Sequence, residues 1–261
     1  MNMNLCSLPP WAIASHHYNS NPQPLEIQGV RRAGRLFFER LELLSDPPER
    51  ARLLHDYLDV TFQLHQWEAQ STARGRKSLK NSYLRFLRGW MFDSNSLEGA
   101  VLKGWVESRM GLPPSFHLEP IRDIQGEAYG RYLRDRMKGA ARTSAINAQL
   151  DLLYEWVQYE LARRLPHERW LTLYRGVNDF AEHEVIEDRG GRNYLLQLNN
   201  LNSFTTDFER AWEFGSQVIR TRVPLPKIFF KSDFFPSSLL KGEEEVMVIG
   251  GRYEVDVLIG G

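Results

Sequence analysis

Apolar residues recur at the spacing of α-helices between Val30 and about Leu165. One apolar stripe consists of Val30, Ala33, Phe37, Leu41 and Leu44. A second helix is expected to start next, because Asp46 can act as an N-cap, Pro47 suits the first helical position and Glu49 completes a capping box. The pattern predicts helices over 30–44, 47–67, 79–92, 96–110, 124–137 and 144–165.

The pattern changes after Pro166, where apolar and β-branched residues form short runs. Strands are predicted over 170–174, 217–223, 228–230, 246–249 and 252–259. The last is the clearest, because apolar and charged residues alternate along it. Thr206 and Glu209 fit another capping box, which predicts a short helix that ends before Gly215. The sequence therefore predicts an α+β fold in which a helical N-terminal half packs on a C-terminal β-rich core.

Residues 1–29 differ from the rest because they are rich in Asn, Pro and Ser. They are expected to form an extended N-terminal arm that wraps around the remainder of the chain. A mainly helical region over 30–165 and a β-rich region over 166–261 follow, and these two could form one continuous domain.

Composition narrows the class of protein. The chain has 261 residues, of which 42% are hydrophobic and 25% charged, as is ordinary for a globular protein. Lys and Arg total 33, and so do Asp and Glu, so no excess of positive charge favours a nucleic-acid partner. The single cysteine, Cys6, allows no intrachain disulfide and suits a reducing compartment. Since neither a leader pattern nor an apolar run of about 18 residues occurs, we expect a cytoplasmic protein without a membrane span.

Widespread catalytic and metal-binding motifs do not occur in the sequence. It contains no GxGxxG, Walker loop, HExxH, CxxC or GxSxG. The seven histidines include no pair four residues apart and no nearby carboxylate cluster. We therefore predict no metal site.

Three short segments of the C-terminal third hold the polar residues from which chemistry is expected. They are Leu-Tyr-Arg-Gly at 173–176, Asn-Ser-Phe-Thr-Thr at 202–206 and Gly-Glu-Glu-Glu-Val at 242–246. In this order they resemble the Arg, Ser-x-Ser/Thr, Glu-x-Glu signature of the arginine-specific mono-ADP-ribosyltransferases. The run 211–214 resembles the helix that commonly follows the serine strand, whereas Phe204 stands where the usual pattern has a second hydroxyl residue. The resemblance implies an ADP-ribosyltransferase-like core that binds NAD as a substrate.

The residue types at these positions also suit NAD chemistry. The Arg175 guanidinium can hold a phosphate or ribose through two hydrogen bonds, and Gly176 lets the backbone approach a ligand. Ser203 and Thr205 lie two residues apart at a strand end, so both hydroxyls can face one side and bind a carboxylate or the nicotinamide ribose. The simpler alternatives are a surface ion pair for the arginine and helix capping for the hydroxyls.

The three consecutive glutamates divide between the two faces of a strand. Glu243 and Glu245 share one face, with stems about 6.6 Å apart, and Glu244 points to the other. By resemblance, Glu245 is the catalytic carboxylate that stabilises oxocarbenium character at the anomeric carbon, with Ser203 beside it. Glu243 is the candidate to orient the acceptor arginine and take its proton, which predicts inversion at the anomeric carbon. An exposed acidic turn is the alternative.

The chain as a whole resembles the dinitrogenase reductase ADP-ribosyltransferase family of nitrogen-fixing bacteria. That resemblance implies an acceptor arginine on dinitrogenase reductase, the nitrogenase iron protein, whose modification switches nitrogen fixation off. It also implies regulation by a PII-type signalling protein. The rival functions are a noncatalytic NAD- or nucleotide-binding regulatory module and an interaction protein without a nucleotide site.

Two further segments are candidates for contact with the acceptor protein. The loop 227–241 holds Phe234 and Phe235, which are either interface anchors or core residues. A basic run could meet an acidic partner or could be a solvated helix face, and it comprises Arg74, Arg76, Lys77, Lys80, Arg85 and Arg88.

Overall fold

The computed structural model describes residues 4–64, 82–141, 143, 145–178, 183–237, 239–240 and 244–258. The helices in these ranges are α1 (Pro10–Ile13), α2 (His16–Ser20), α3 (Val30–Ala33), α4 (Arg35–Glu42), α5 (Pro47–Thr61), α6 (Tyr83–Phe92), α7 (Leu97–Met110), α8 (Glu127–Ala140), α9 (Ile146–Arg164) and α10 (Phe208–Trp212). The strands are β1 (Phe116–His117), β2 (Glu119–Pro120), β3 (Trp170–Val177), β4 (Glu184–Asp188), β5 (Asn193–Thr205), β6 (Gln217–Pro224), β7 (Ile228–Lys231) and β8 (Glu245–Leu258). The α+β class predicted from the sequence is confirmed.

The main sheet has six antiparallel strands in the order β4-β5-β3-β6-β8-β7, and β5 also pairs with β8. The pairings of β3 with β5, β5 with β8, β8 with β6 and β6 with β3 close a ring of four strands. Strand β8 approaches β5 closely at Gly250, where an added Cβ would lie 1.6 Å from the carbonyl oxygen of Asn199. Only glycine allows the two strands to approach so closely.

The helices and the sheet share one hydrophobic core. The longest helix, α9, lies in its centre and buries Trp156, whose ring centroid is 5.0 Å from that of Phe235. On α7, Trp105 packs in the same way on Phe229, at 4.8 Å. Burial of each such aromatic side chain stabilises the fold by about 1.5–3 kcal/mol. The helical half and the sheet therefore stabilise each other through this core.

Buried amides fasten β5 to the helical half at a bulge in the strand. The Nδ2 of Asn200 donates to the carbonyl oxygens of Lys103 and Leu112, both at 2.9 Å. Its neighbour Asn199 accepts from the backbone N–H of Ser115 at 3.0 Å. A buried amide left without these partners would be costly, so the bulge has a fixed position relative to α7.

The N-terminal segment lies against the sheet. The backbone N–H of Arg252 in β8 donates to the carbonyl of Ala14 at 2.8 Å. The indole N–H of Trp170 in β3 donates to the carbonyl of Asn19 at 2.7 Å. Helices α1 and α2 interrupt residues 4–29, which the sequence predicted to be extended.

Several element boundaries differ from the predictions. The helix predicted over 30–44 is broken at Gly34 into α3 and α4, and the one predicted over 124–137 begins at Glu127. The two strands predicted over 246–249 and 252–259 are one strand, β8. No range was predicted for β4 or for β5, of which only the end at Ser203 and Thr205 was expected. Asp207 caps α10 in place of Thr206, because its carboxylate accepts from two backbone N–H groups of the helix. The predicted helical residues 65–67 and 79–81 lie outside the described residues.

Candidate active site

The three polar segments occupy three strands that meet at Thr205. This residue is the cross-strand partner of Tyr174 in β3 and of Glu245 in β8. Arg175, which follows Tyr174, and Ser203, two residues before Thr205, therefore come within a few ångströms of the start of β8. Segments that are up to about 70 residues apart in sequence are brought together by strand pairing alone.

Glu245 is the first residue of β8, and its carboxylate is bound on one oxygen by two donors. Ser203 donates from Oγ to Glu245 Oε1 at 2.5 Å. The indole N–H of Trp90, at the end of α6, lies 2.8 Å from the same Oε1 and also 2.8 Å from Ser203 Oγ. Glu245 is only 9% exposed and Trp90 only 2%. Such donors stabilise the ionised form of a carboxylate that has little access to water.

Arg175 is linked to Ser203 through the backbone carbonyl group of that serine. Its Nη1 donates to the carbonyl oxygen of Ser203 at 2.9 Å, and the side chain is half-buried. Arginine keeps its charge at any ordinary pH, so it places a permanent positive charge beside the serine strand. The structure thus brings Arg175, Ser203 and Glu245 into one site.

Thr205 and Gly176 stand at the site but have local structural contacts. Thr205 Oγ1 accepts from the backbone N–H of Asp207 at 3.1 Å, so this hydroxyl takes part in the turn into α10. An added Cβ on Gly176 would lie 2.2 Å from the carbonyl oxygen of Ala211, because α10 packs directly on β3 there. The ligand-binding roles predicted for both residues remain predictions.

The acidic run is described only in part. Glu243 lies outside the described residues, so its role stays a prediction. Glu244 is exposed and has a φ of 55°, whereas Glu245 is buried. A glutamate in the left-handed region is unusual, and β8 begins only at Glu245. The prediction that the three glutamates alternate between the two faces of a strand is therefore wrong at Glu244, because that residue is not in an extended conformation.

The structure revises which residues are candidates for contact with the acceptor protein. Phe234 and Phe235 are 4% and 5% exposed, so they are core residues and not interface anchors. Of the basic run, Arg85 forms an ion pair with Glu98 at 2.7 Å. Arg88 donates from Nη2 to the carbonyl of Leu239 at 2.6 Å, and the other four basic residues lie outside the described residues.

Trp90 is the site residue that the sequence did not predict. It belongs to an apolar helix stripe, and nothing in its spacing separates it from a core tryptophan. A buried indole needs an acceptor for its N–H, but the sequence does not say where that acceptor lies.

Other features of the described residues contribute nothing to this site. A cavity of about 550 Å³ lies between α2 and the sheet and is lined by Arg220, Arg222 and Trp170, among others, but by none of the motif residues. In the described part of the chain, no group of three or more His, Cys, Asp or Glu side chains could hold a metal ion. Nor does any described helix have the length and apolar character needed to cross a membrane.

An arginine, a serine and a buried glutamate on three adjoining strands of an antiparallel sheet are the arrangement expected of an ADP-ribosyltransferase. The family model described as dinitrogenase reductase ADP-ribosyltransferase matches residues 3–257, and the chain belongs to that family. It is also 42% identical over 257 residues to the NAD(+)--dinitrogen-reductase ADP-D-ribosyltransferase of Rhodospirillum rubrum, with 97% of this chain and 93% of the relative covered. No solved structure matches the chain.

Proposed function

We propose that this protein transfers ADP-ribose from NAD to an arginine of dinitrogenase reductase and thereby switches nitrogen fixation off. The observation that carries the proposal is the buried carboxylate of Glu245 held by Ser203 beside Arg175. Membership of the family and the similarity to the Rhodospirillum rubrum transferase support the choice of both substrates.

Glu245 acts at the bond between nicotinamide and ribose. As this bond breaks, its electron pair goes to the nicotinamide nitrogen, and positive charge develops at the anomeric carbon. A carboxylate placed near the ribose 2′-hydroxyl stabilises that charge most strongly in the transition state. Since Ser203 already orients the carboxylate, little reorganisation is needed during the reaction.

The acceptor arginine then forms the new bond. Its guanidinium nitrogen attacks the anomeric carbon from the face opposite the departing nicotinamide, and a proton leaves that nitrogen. Glu243 receives this proton in our proposal, because a guanidinium with a pKa above about 12 is a poor nucleophile on its own. The product is an α-linked ADP-ribosyl arginine, inverted from the β linkage of NAD.

The remaining predicted residues bind NAD. Arg175 holds a phosphate or ribose hydroxyl, while Ser203 and Thr205 border the nicotinamide ribose. In our proposal Gly176 lets the backbone next to Arg175 approach the ligand, because it has no side chain.

The compartment and the regulator are further parts of the proposal. A free thiol at the buried Cys6 fits the reducing cytoplasm. A PII-type signalling protein is the regulator that the family resemblance suggests. Adding such a protein to a purified transfer assay tests this, because a regulator must change the rate at fixed NAD and acceptor concentrations.

The central test is the variant Glu245→Gln. It keeps the size of the side chain but removes the charge, so we expect the transfer rate to fall at least about a hundredfold, which corresponds to about 2.7 kcal/mol. NAD binding, followed by calorimetry, should change little. Glu254→Gln is the matched control, because Glu254 is exposed on the same strand and pairs with Arg189.

The same variants separate the rival functions. A noncatalytic regulatory module would affect its partner equally well with glutamine at position 245. An interaction protein without a nucleotide site would show no NAD-dependent rise in melting temperature. Full transfer activity of Glu245→Gln would overturn the assignment of the catalytic carboxylate.

A further inference from the structure

Helix α6 of the helical half reaches the candidate active site. Trp90 lies in its last turn, and its N–H is shared between Ser203 Oγ and Glu245 Oε1 at 2.8 Å each. With the 2.5 Å bond from Ser203 to Glu245, the three groups form a closed triangle. The helical half therefore contributes a polar atom to a site that otherwise belongs to the sheet.

This contact has a more specific role than filling space. A buried indole N–H needs an acceptor, and any carbonyl oxygen can serve. In the same half of the protein, Trp105 donates to the carboxylate of Asp151, to which no catalytic role is assigned. Trp90 donates to the carboxylate to which catalysis is assigned. Because Trp90 and Ser203 both donate to Oε1, two bonds from different directions limit rotation of the Glu245 carboxylate.

The helix that carries Trp90 is held firmly by its neighbours. Gly89 lies against α7, where an added Cβ would be 2.5 Å from Cβ of Glu98. Arg85 forms an ion pair with Glu98 at 2.7 Å, and Arg88 bonds to the carbonyl of Leu239 at 2.6 Å. The indole thus has a fixed position before any substrate binds, as a positioning residue requires.

We propose that Trp90 is a positioning residue of the transferase centre, whose indole N–H fixes the orientation of the Glu245 carboxylate. The inference rests on the proposed function, because it assigns a role to Trp90 through Glu245. It gives the helical half a direct part in the chemistry.

The test compares two variants that each lose one indole N–H donated to a carboxylate. Trp90→Phe removes the bond to Glu245, and Trp105→Phe removes a bond of the same length, 2.8 Å, from another fully buried tryptophan to Asp151. Rates of NAD hydrolysis and of transfer are measured as functions of pH. For Trp90→Phe we expect a fall of about tenfold in kcat with less than a twofold change in KM for NAD, since one hydrogen bond to a charged group is lost.

The pH profile distinguishes positioning from a merely structural effect. A carboxylate that loses a donor is protonated more easily, so the acid limb of kcat should move to higher pH in Trp90→Phe only. Three charged neighbours keep their identity in both variants: Arg175, which bonds to the Ser203 carbonyl, Lys103, whose Nζ lies 5.9 Å from the centroid of the Trp90 ring, and Glu244, the residue before Glu245. Urea denaturation of both variants at the low end of the pH range shows whether each is still folded there, so a shift of the limb is separated from acid unfolding.

Two further variants make each result decisive. Trp90→His can present a ring N–H, and part of the lost rate should return with it. In a Glu245→Gln background, Trp90→Phe should have no further effect on residual activity, because the two residues act through one group. An unshifted acid limb in Trp90→Phe, or an equal shift in Trp105→Phe, overturns the role of Trp90. Absence of transfer from NAD to dinitrogenase reductase by the unchanged protein overturns the proposed function instead.

Discussion

Ser203 and Glu245 lie on neighbouring strands, and the serine hydroxyl is 2.5 Å from Oε1 of the glutamate. They are not direct cross-strand partners, since Ser203 pairs with Met247 and Glu245 with Thr205. The hydrogen bond therefore runs diagonally across β5 and β8, over two residues, on the face that also receives Trp90. A one-residue slip of either strand would move one of the two side chains to the opposite face.

The first prediction concerns this bond. In Ser203→Ala the Glu245 carboxylate loses one donor but keeps Trp90. A hydrogen bond to a charged group contributes about 1.5–3 kcal/mol, so kcat for transfer should fall about 10- to 100-fold. Initial rates at saturating NAD measure the effect.

Ser108→Ala is the control for that measurement. Its hydroxyl donates to the carbonyl of Trp105 on α7, away from β5 and β8. We expect its transfer rate to match that of the unchanged protein. Equal rates in Ser203→Ala and Ser108→Ala would contradict an active role for the serine.

The second prediction concerns the contact between β3 and α10. In Gly176→Ala the new Cβ would meet the carbonyl of Ala211 at 2.2 Å, and backbone cannot move aside cheaply. Overpacking of this kind costs about 1–3 kcal/mol, so the variant should unfold at lower urea concentration.

Replacement of a glycine that has space around it should change the stability in the opposite direction. In Gly130→Ala, within α8, the added Cβ meets only the Arg134 side chain, at 3.7 Å. Because alanine favours helix over glycine by up to about 1 kcal/mol, this variant should unfold at higher urea concentration. If both variants shifted the urea concentration of unfolding in the same direction, the approach of α10 to β3 would not determine the effect at Gly176.

The sequence was sufficient for the fold class and for the first part of β3, because residue type and order are local signals, but it ended that strand before Arg175 and gave no range for β5, which carries Ser203. It was not sufficient for β8, which it divided at Gly250. A glycine within a strand can mark the close approach of another backbone, and here the missing side chain admits the carbonyl of Asn199. Long-range approach of two backbones leaves no trace in periodicity.

The same reasoning explains why Trp90 was missed and why Phe234 and Phe235 were left undecided. All three are aromatic, and aromatic side chains occur both in hydrophobic cores and in functional sites. The residue type therefore does not identify the partners of these side chains. Their environment depends on which distant elements pack against them: β5 and β8 for Trp90, and α9 for Phe235. Tertiary packing decides between such alternatives, and a single sequence does not encode it in a local pattern.

The third prediction concerns a buried ion pair in the helical half. Arg50 on α5 binds Glu160 on α9 through two hydrogen bonds, of 2.5 and 3.0 Å, and the two side chains are 2% and 0% exposed. Arg50→Met leaves Glu160 with Arg164 alone and should lower the free energy of unfolding by about 3–5 kcal/mol. Urea denaturation followed by circular dichroism measures the loss.

An exposed pair provides the comparison. Arg35 and Glu39 lie 3.2 Å apart on α4, with side chains 72% and 56% exposed. Arg35→Met should therefore change the free energy of unfolding by less than about 1 kcal/mol. If both variants lost the same amount, burial would not be the reason for the stability of the Arg50 pair.

The last prediction concerns pH and His117, which is fully buried on β1. Burial, and next the positive charge of Lys103, lower the pKa of His117 below its usual value of about 6.5, although Asp135 opposes the shift. Below that pH the unfolded chain binds a proton that the folded protein resists, so stability falls as the pH decreases through 6.5 toward the lower folded value. The loss can reach about 1.4 kcal/mol per pH unit.

His117→Asn removes this titration, and its free energy of unfolding should decrease less between pH 7 and pH 5 than that of the unchanged protein. Urea denaturation at several pH values measures both slopes. Parallel slopes would mean that His117 accepts its proton as readily in the folded protein as in the unfolded chain.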